Sequence, residues 1–252
     1  MIELHEVGKR YGDTIVVDGV TLTLPRGGIT ALIGPNGAGK SSLLGMIGRL
    51  VPPGSGSIVV DGLDVTRTPG AELARRLSIL RQDNSTSARL TVRDLVSFGR
   101  FPFSRGRPTP EDAAHVARAL GLLDLEPLAE RFLDELSGGQ RQRAFIAMVL
   151  CQDTDYVLLD EPLNNLDMKH ARITMKLLKS LAESSGKAVI LVLHDVNFAA
   201  CHADLIVAMR EGRIVHSGPP AAIMTMDVMR EVFDMEMDIR LVGDRRIAFY
   251  FD

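Results

Sequence analysis

The run Gly34-Pro35-Asn36-Gly37-Ala38-Gly39-Lys40-Ser41 limits what this chain can fold into more than any other feature. Its spacing is GxxxxGK[ST], the pattern of a phosphate-binding loop, and its flanks are those such a loop requires. Residues 29–33 form an apolar run that predicts a buried strand, and residues 40–50 carry a helical pattern. Glycines let backbone N–H groups turn inward around phosphate oxygens, and the N-terminus of the following helix adds favourable positive potential. The eight loop residues and Ser42 are therefore expected to surround the phosphates of ATP. Lys40 is expected to bridge the β- and γ-phosphates, and the Ser41 hydroxyl to ligate Mg²⁺.

Such a loop needs a carboxylate for the metal's water shell and, for hydrolysis, a group that accepts a proton from water or orients it. The apolar run at 156–159 ends in Asp160 and Glu161, which supply both. Asp160 is expected to face Mg²⁺, and Glu161, one residue on, to sit near the attacking water. His194 closes another apolar run, 188–193, and ligands bind at the carboxyl ends of strands in an open α/β sheet. A histidine there can reach the γ-phosphate.

Short apolar runs alternating with helical patterns predict an α/β fold with a mainly parallel sheet. A helix over 168–183 supplies the crossover between the strands at 156–159 and 188–193. The first 25 residues and residues 57–60 read as shorter alternating strands, a small antiparallel β subdomain. Between 84 and 152 the strand signals vanish, and helical patterns at 92–98, 110–120 and 138–150 predict an inserted helical subdomain (84–152) within a single domain spanning 1–252. Residues 237–251, with Gly243-Asp244 at a turn, read as a hairpin.

A formal net charge of −3 argues against a protein built to coat nucleic acid. No stretch approaches the ~18 to 20 apolar residues of a membrane span, so any membrane role is expected to come through a partner. The first residues read as a strand and not as a signal peptide. Cys151 and Cys201 have no disulfide or metal-site spacing, which suits a reducing cytosol. Arg100, Arg105 and Arg107 with Phe101 and Phe103 form a basic, aromatic patch that single-stranded nucleic acid could also use. Met224, Met226, Met229, Met235 and Met237 are expected in a core or an interface.

One further motif decides the family. Leu136-Ser137-Gly138-Gly139-Gln140, followed by Arg141-Gln142-Arg143 and a helix, resembles the LSGGQ signature of the nucleotide-binding subunits of ABC transporters. The resemblance runs across nearly the whole chain and implies a P-loop ATPase core. It also implies a head-to-tail dimer in which Ser137, Gly138, Gly139 and Gln140 close over the partner subunit's phosphate loop. Tyr11 falls where the family stacks an aromatic on adenine, and Gln82 at the Q-loop, where it touches metal or water. Asn164-Asn165-Leu166-Asp167 falls at the D-loop that crosses the dimer interface, with Asp167 near the nucleotide, and His194 at the switch histidine. Asn164 departs from the serine common there. The patch at 100–107 resembles the surface that docks a transmembrane partner.

The chain is thus expected to be an ATP hydrolase working with transmembrane permease subunits and, indirectly, a substrate-binding protein. Its expected place is peripheral, on the cytoplasmic face of the inner membrane, with no nucleic-acid partner. Residues 144–155, continuing through 164–170, look most like ATPases of iron–siderophore uptake. Importers of vitamin B12, haem or other metal chelates share this architecture, and a soluble ATPase of the iron–sulfur assembly type has a compatible layout.

Overall fold

Strands β7 (Tyr156–Asp160) and β8 (Ala188–Val192) are buried at every position, as expected for central strands covered on both faces. They belong to a computed structural model that describes residues 1–84, 86 and 88–250. Ahead of them come β1 (Ile2–Tyr11), β2 (Thr14–Leu24), β3 (Gly28–Ile33), α1 (Lys40–Ile47), β4 (Ser55–Val60), β5 (Leu63–Asp64), α2 (Gly70–Leu73) and β6 (Leu77–Leu80). Helices α3 (Val92–Ser97), α4 (Phe101–Ser104), α5 (Pro110–Leu122) and α6 (Gly138–Cys151) fill the stretch before β7. Helix α7 (Met168–Ser185) links β7 to β8. Then follow α8 (Val196–His202), β9 (Leu205–Arg210), β10 (Arg213–Gly218), α9 (Pro220–Ile223), α10 (Met226–Phe233), β11 (Asp238–Val242) and β12 (Arg245–Phe249).

The main sheet has the order β10-β9-β3-β8-β7-β6, parallel except for β10, which pairs antiparallel with β9. Its register is level: Leu32 pairs with Val192, Asp160 with Val192, and Leu80 with Leu159. Whatever follows β3, β8, β7 and β6 therefore emerges at one edge. The strands' period of two splits their side chains between two cores. Ile33, Leu159 and Leu191 join a cluster with Val96, Ile146 and Leu178 of α3, α6 and α7. Leu32, Leu158 and Ile190 join one with Leu43 and Ile47 of α1 and with Ile2 and Leu4 of β1. The small antiparallel sheet runs β2-β1-β4-β5.

The expected α/β architecture is present, with the helices between β6 and β7 where the strand signals ceased. Helix α1 stops at Ile47 and not at residue 50, because Gly48 lies against Ile79 and Arg49 takes a φ of 58°. Strands β6, β9 and β10 escaped the sequence reading. The tail hairpin forms around Gly243-Asp244, with Phe251 outside the described residues.

The patch at 100–107 needs correction. Arg100 is only 6% exposed: its Nε donates to Asp112 Oδ1 at 2.9 Å and its Nη1 to the Cys151 and Gln152 carbonyls. A guanidinium so engaged is part of the interior. What lies at the surface is Arg105 and Arg107 with exposed aromatics, Phe98 and Phe101 being more than half exposed beside a groove of about 360 Å³. Of the methionines, Met224, Met229 and Met237 are core residues, whereas Met226 and Met235 are exposed.

Candidate active site

The phosphate loop leaves β3 under tight steric constraint. Gly34 has a φ of 140°, and a Cβ there would lie 2.1 Å from the Met209 carbonyl oxygen. Gly39, the N-cap of α1, has a φ of 96°, and a Cβ would come within 2.4 Å of the Val16 carbonyl oxygen. Only glycine meets both demands. Lys40 is buried, and its Nζ donates to the carbonyls of Gly34 (2.8 Å) and Pro35 (2.9 Å), so the cation is held across the loop. Burial pushes its pKa below the ordinary lysine value, and the carboxylates of Glu161 and Asp160 oppose that shift.

Strand β7 brings Asp160 to the same edge. Its Oδ1 accepts from Ser41 Oγ at 2.9 Å, joining the loop to the strand two places away in the sheet. Burial pushes the Asp160 carboxyl up, with the Ser41 hydrogen bond opposing. A hydroxyl and a buried carboxylate in contact form a hard oxygen pair, the donor chemistry that Mg²⁺ takes when phosphates complete its shell.

Glu161 follows with a φ of 50°, a left-handed conformation that costs a non-glycine residue about 1 kcal/mol or more and is concentrated at functional sites. The turn points its carboxylate into a ring of donors. Gln82, two residues past β6, donates from Nε2 to Oε2 at 2.9 Å. Asn164 Nδ2 also donates to Oε2, and His194 Nε2 pairs with Oε1. Four neighbouring strands thus deliver the phosphate loop, Glu161, His194 and Gln82 to one place.

A cleft of about 240 Å³ is lined by Asn36, Gly37, Ala38, Gly39, Lys40, Ser41, Ser42, Gln82, Glu161 and His194, with Val16. Gly34 and Pro35 lie behind it, holding Lys40 through their carbonyls. Ser137, Gly138, Gly139, Gln140 and Asp167 do not line it. The Ser137 and Gln140 side chains form a reciprocal cap at the start of α6, and Ser137 is exposed. Asp167 caps α7, accepting from the His170 backbone N–H at 2.8 Å. Tyr11, at the end of β1, is half exposed, with Lys9 Nζ 5.2 Å from its ring, and is not a lining residue either. Two participants escaped the sequence reading. Val16 gives no chemical signal, and Asn164 was read only as a D-loop position, not as a partner of Glu161.

A glycine-rich turn between a parallel strand and a helix, with a buried lysine, a hydroxyl on a carboxylate and a second carboxylate beside it, defines a P-loop nucleoside-triphosphatase centre. The pattern of the ABC transporter family matches residues 17–164. The petrobactin import ATP-binding protein YclP of Bacillus subtilis (strain 168) is 51% identical over 251 residues, covering 100% of both chains. The ferric enterobactin transport ATP-binding protein FepC of Escherichia coli (strain K12) is 41% identical over 229 residues, 89% of this chain and 84% of that one. The dimeric post-hydrolysis structure of the ATP-binding cassette MJ0796, bound to ADP and Pi, superposes with a TM-score of 0.79 at 29% identity, covering 87% and 99% of the two chains. The chain belongs to the ABC transporter family, as an ATP-binding subunit whose turnover of ATP is coupled to transport.

Proposed function

We propose that two copies of this chain bind two Mg·ATP head to tail and drive import of a ferric siderophore through a separate permease. The observation that carries the motor reading is the division of the site. The cleft holds the phosphate loop, Glu161, Gln82 and His194, while Ser137 and Gly138 are exposed at the capped start of α6, off that cleft. A second set of phosphate donors placed outside its own cleft is suited to a neighbour's nucleotide. The dimeric arrangement of the superposable cassette supports this reading.

In this arrangement Ser41 and Asp160, with Gln82, would hold Mg²⁺, which neutralises charge on the β- and γ-phosphates. Lys40 exchanges the two loop carbonyls for phosphate oxygens and binds the charge of the leaving diphosphate. Glu161 accepts the proton of the attacking water, and His194 orients Glu161 and the γ-phosphate. Ser137 and Gly139 of the partner cap the γ-phosphate from the far side. Tyr11 stacks on the adenine, its exposed ring being available to do so, and Asp167 borders the closed interface.

The helices between β6 and β7 form the inserted unit, and its groove beside Phe98 and Phe101 receives the permease. With Arg100 buried, this surface pairs exposed Phe98 and Phe101 with Arg105 and Arg107, and the chain's net charge of −3 favours a protein partner over a nucleic acid. No helix among the described residues is long and apolar enough to cross a membrane, so this chain's place at the cytoplasmic face rests on that groove. The cargo assignment rests on the similarity to petrobactin and enterobactin import proteins. A substrate-binding protein would present the chelate to the permease.

Growth of a deletion strain under iron restriction, with single ferric chelates supplied, tests the cargo. Loss of use of one chelate class, restored by this chain and not by its Glu161→Gln variant, is expected. Undiminished use of every ferric chelate, in a strain with no substituting ATPase, refutes the iron assignment.

A further inference from the structure

The Glu161 carboxylate has few acceptor positions left. Gln82 and Asn164 both donate to Oε2, His194 engages Oε1, and the side chain is only 6% exposed. A base in this condition is poorly placed to take a proton from water. Two of the three donors have a second task in the cleft: Gln82 and His194 both line it. Asn164 does not line the cleft and is otherwise exposed, and Glu161 is its one side-chain partner among the described residues. Its backbone N–H also donates to the Glu161 carbonyl at 3.2 Å, which fixes the turn carrying both.

The same turn is fastened to the signature. A Cβ on Gly139 would stand 3.1 Å from the Asn165 carbonyl oxygen, and one on Gly138 would stand 3.6 Å from Asn165 Cβ. Gln142 of α6, itself buried, donates from Nε2 to the Pro162 carbonyl at 3.2 Å. The start of α6 and the loop that holds Asn164 are therefore packed against each other.

We infer that Asn164 is a positioning residue that latches the Glu161 carboxylate in the separate chain and releases it when the signature helix moves to close on the partner's nucleotide. A chain would then hydrolyse its own ATP readily only when its signature is engaged on the other, which suppresses idle turnover. Serine, common at this position in the family, is one bond shorter and has no amide to reach the carboxylate in this way. The latch rests on the reading of Glu161 as the base.

The test is steady-state ATP turnover by the purified full chain, comparing the parent with Asn164→Ala, Glu161→Gln and the double variant. A hydrogen bond to a charged group is a large enough restraint for kcat of Asn164→Ala to rise about tenfold. The KM for ATP should stay within about twofold, since the residue touches no phosphate. The double variant should be no faster than Glu161→Gln alone. A kcat for Asn164→Ala at or below the parent's, or a rise that persists in the double variant, overturns the latch. Turnover by Glu161→Gln close to the parent's removes Glu161 from its role as base, and the latch with it. That result is read from the single variant and is distinct from failure of Asn164→Ala.

Discussion

Replacing Arg100 with leucine should destabilise the chain by an amount the surrounding contacts allow to be worked out. Both members of the Arg100–Asp112 pair have side chains no more than 7% exposed, and Arg100 also donates to two carbonyls near the end of α6. Removing one partner of a buried pair costs about 3 to 5 kcal/mol, because the remaining charge is stranded. Asp112 keeps the Thr109 N–H and hydroxyl as donors at 2.9 Å, and the pair borders the groove, so the low end applies, about 3 kcal/mol. For a chain of this size that corresponds to a fall in Tm of roughly 6 to 12 °C by calorimetry. The penalty should depend on pH. The Arg100 hydrogen bond holds the Asp112 carboxyl below the ordinary aspartate value. A lowered folded-state pKa gives stability that is present above the unfolded value, about 4, and lost as pH falls through the folded one. The gap between parent and variant should therefore be full near neutrality and narrow in acid. Asp112→Asn, which keeps the cap acceptor and leaves Arg100 its two carbonyls, should cost less. A change below about 2 °C at neutral pH, or a gap that widens in acid, would refute the account of this pair as a buried structural contact.

Glu161→Gln should bind ATP and accumulate as a nucleotide-bound dimer on gel filtration, with turnover reduced about 10²- to 10⁴-fold by loss of the proton acceptor. Lys40→Ala should act earlier, raising the Kd for ATP, because on the proposed reading the cation held across the loop is the one that meets the phosphates. Mixing Lys40→Ala chains with Ser137→Arg chains should give more activity than either alone, since one composite site in the mixed pair is intact. Additive, near-zero activity in that mixture would count against closure in trans.

The parts of this site that could be read from the sequence are those whose chemistry sits at fixed spacing on one segment. The phosphate loop, the acid pair after an apolar run and the histidine after another are local patterns, and the level register of β3, β8 and β7 makes locality sufficient. Where two segments must meet, the sequence was a weaker guide. Arg100 looked like a surface cation because its partner, Asp112, lies on a different helix and nothing in residues 98–107 reports it. Gln82 was placed by family resemblance and not by its strand, since four residues, Leu77 to Leu80, are too short for periodicity to reveal β6. The bond from Asn164 to Glu161 depends on a left-handed φ at Glu161 that no side-chain pattern announces.

The signature shows both sides of this limit. As a local pattern, Ser137 with Gln140 three residues later is a helix-capping box, and the structure uses it as one. Capping leaves Ser137 and Gly138 exposed at the helix start, so the residues that make α6 stable are also those presented to a partner. Within its own chain the start of α6 packs against Asn165 and Leu166, and among the described residues it does not line the cleft of the phosphate loop. On the proposed reading, one fold holds two parts of a nucleotide site that do not line a common cleft. Hydrolysis on this reading belongs to the pair of chains, and the contact between Gly139 and Asn165 is where the state of one site can be felt at the other.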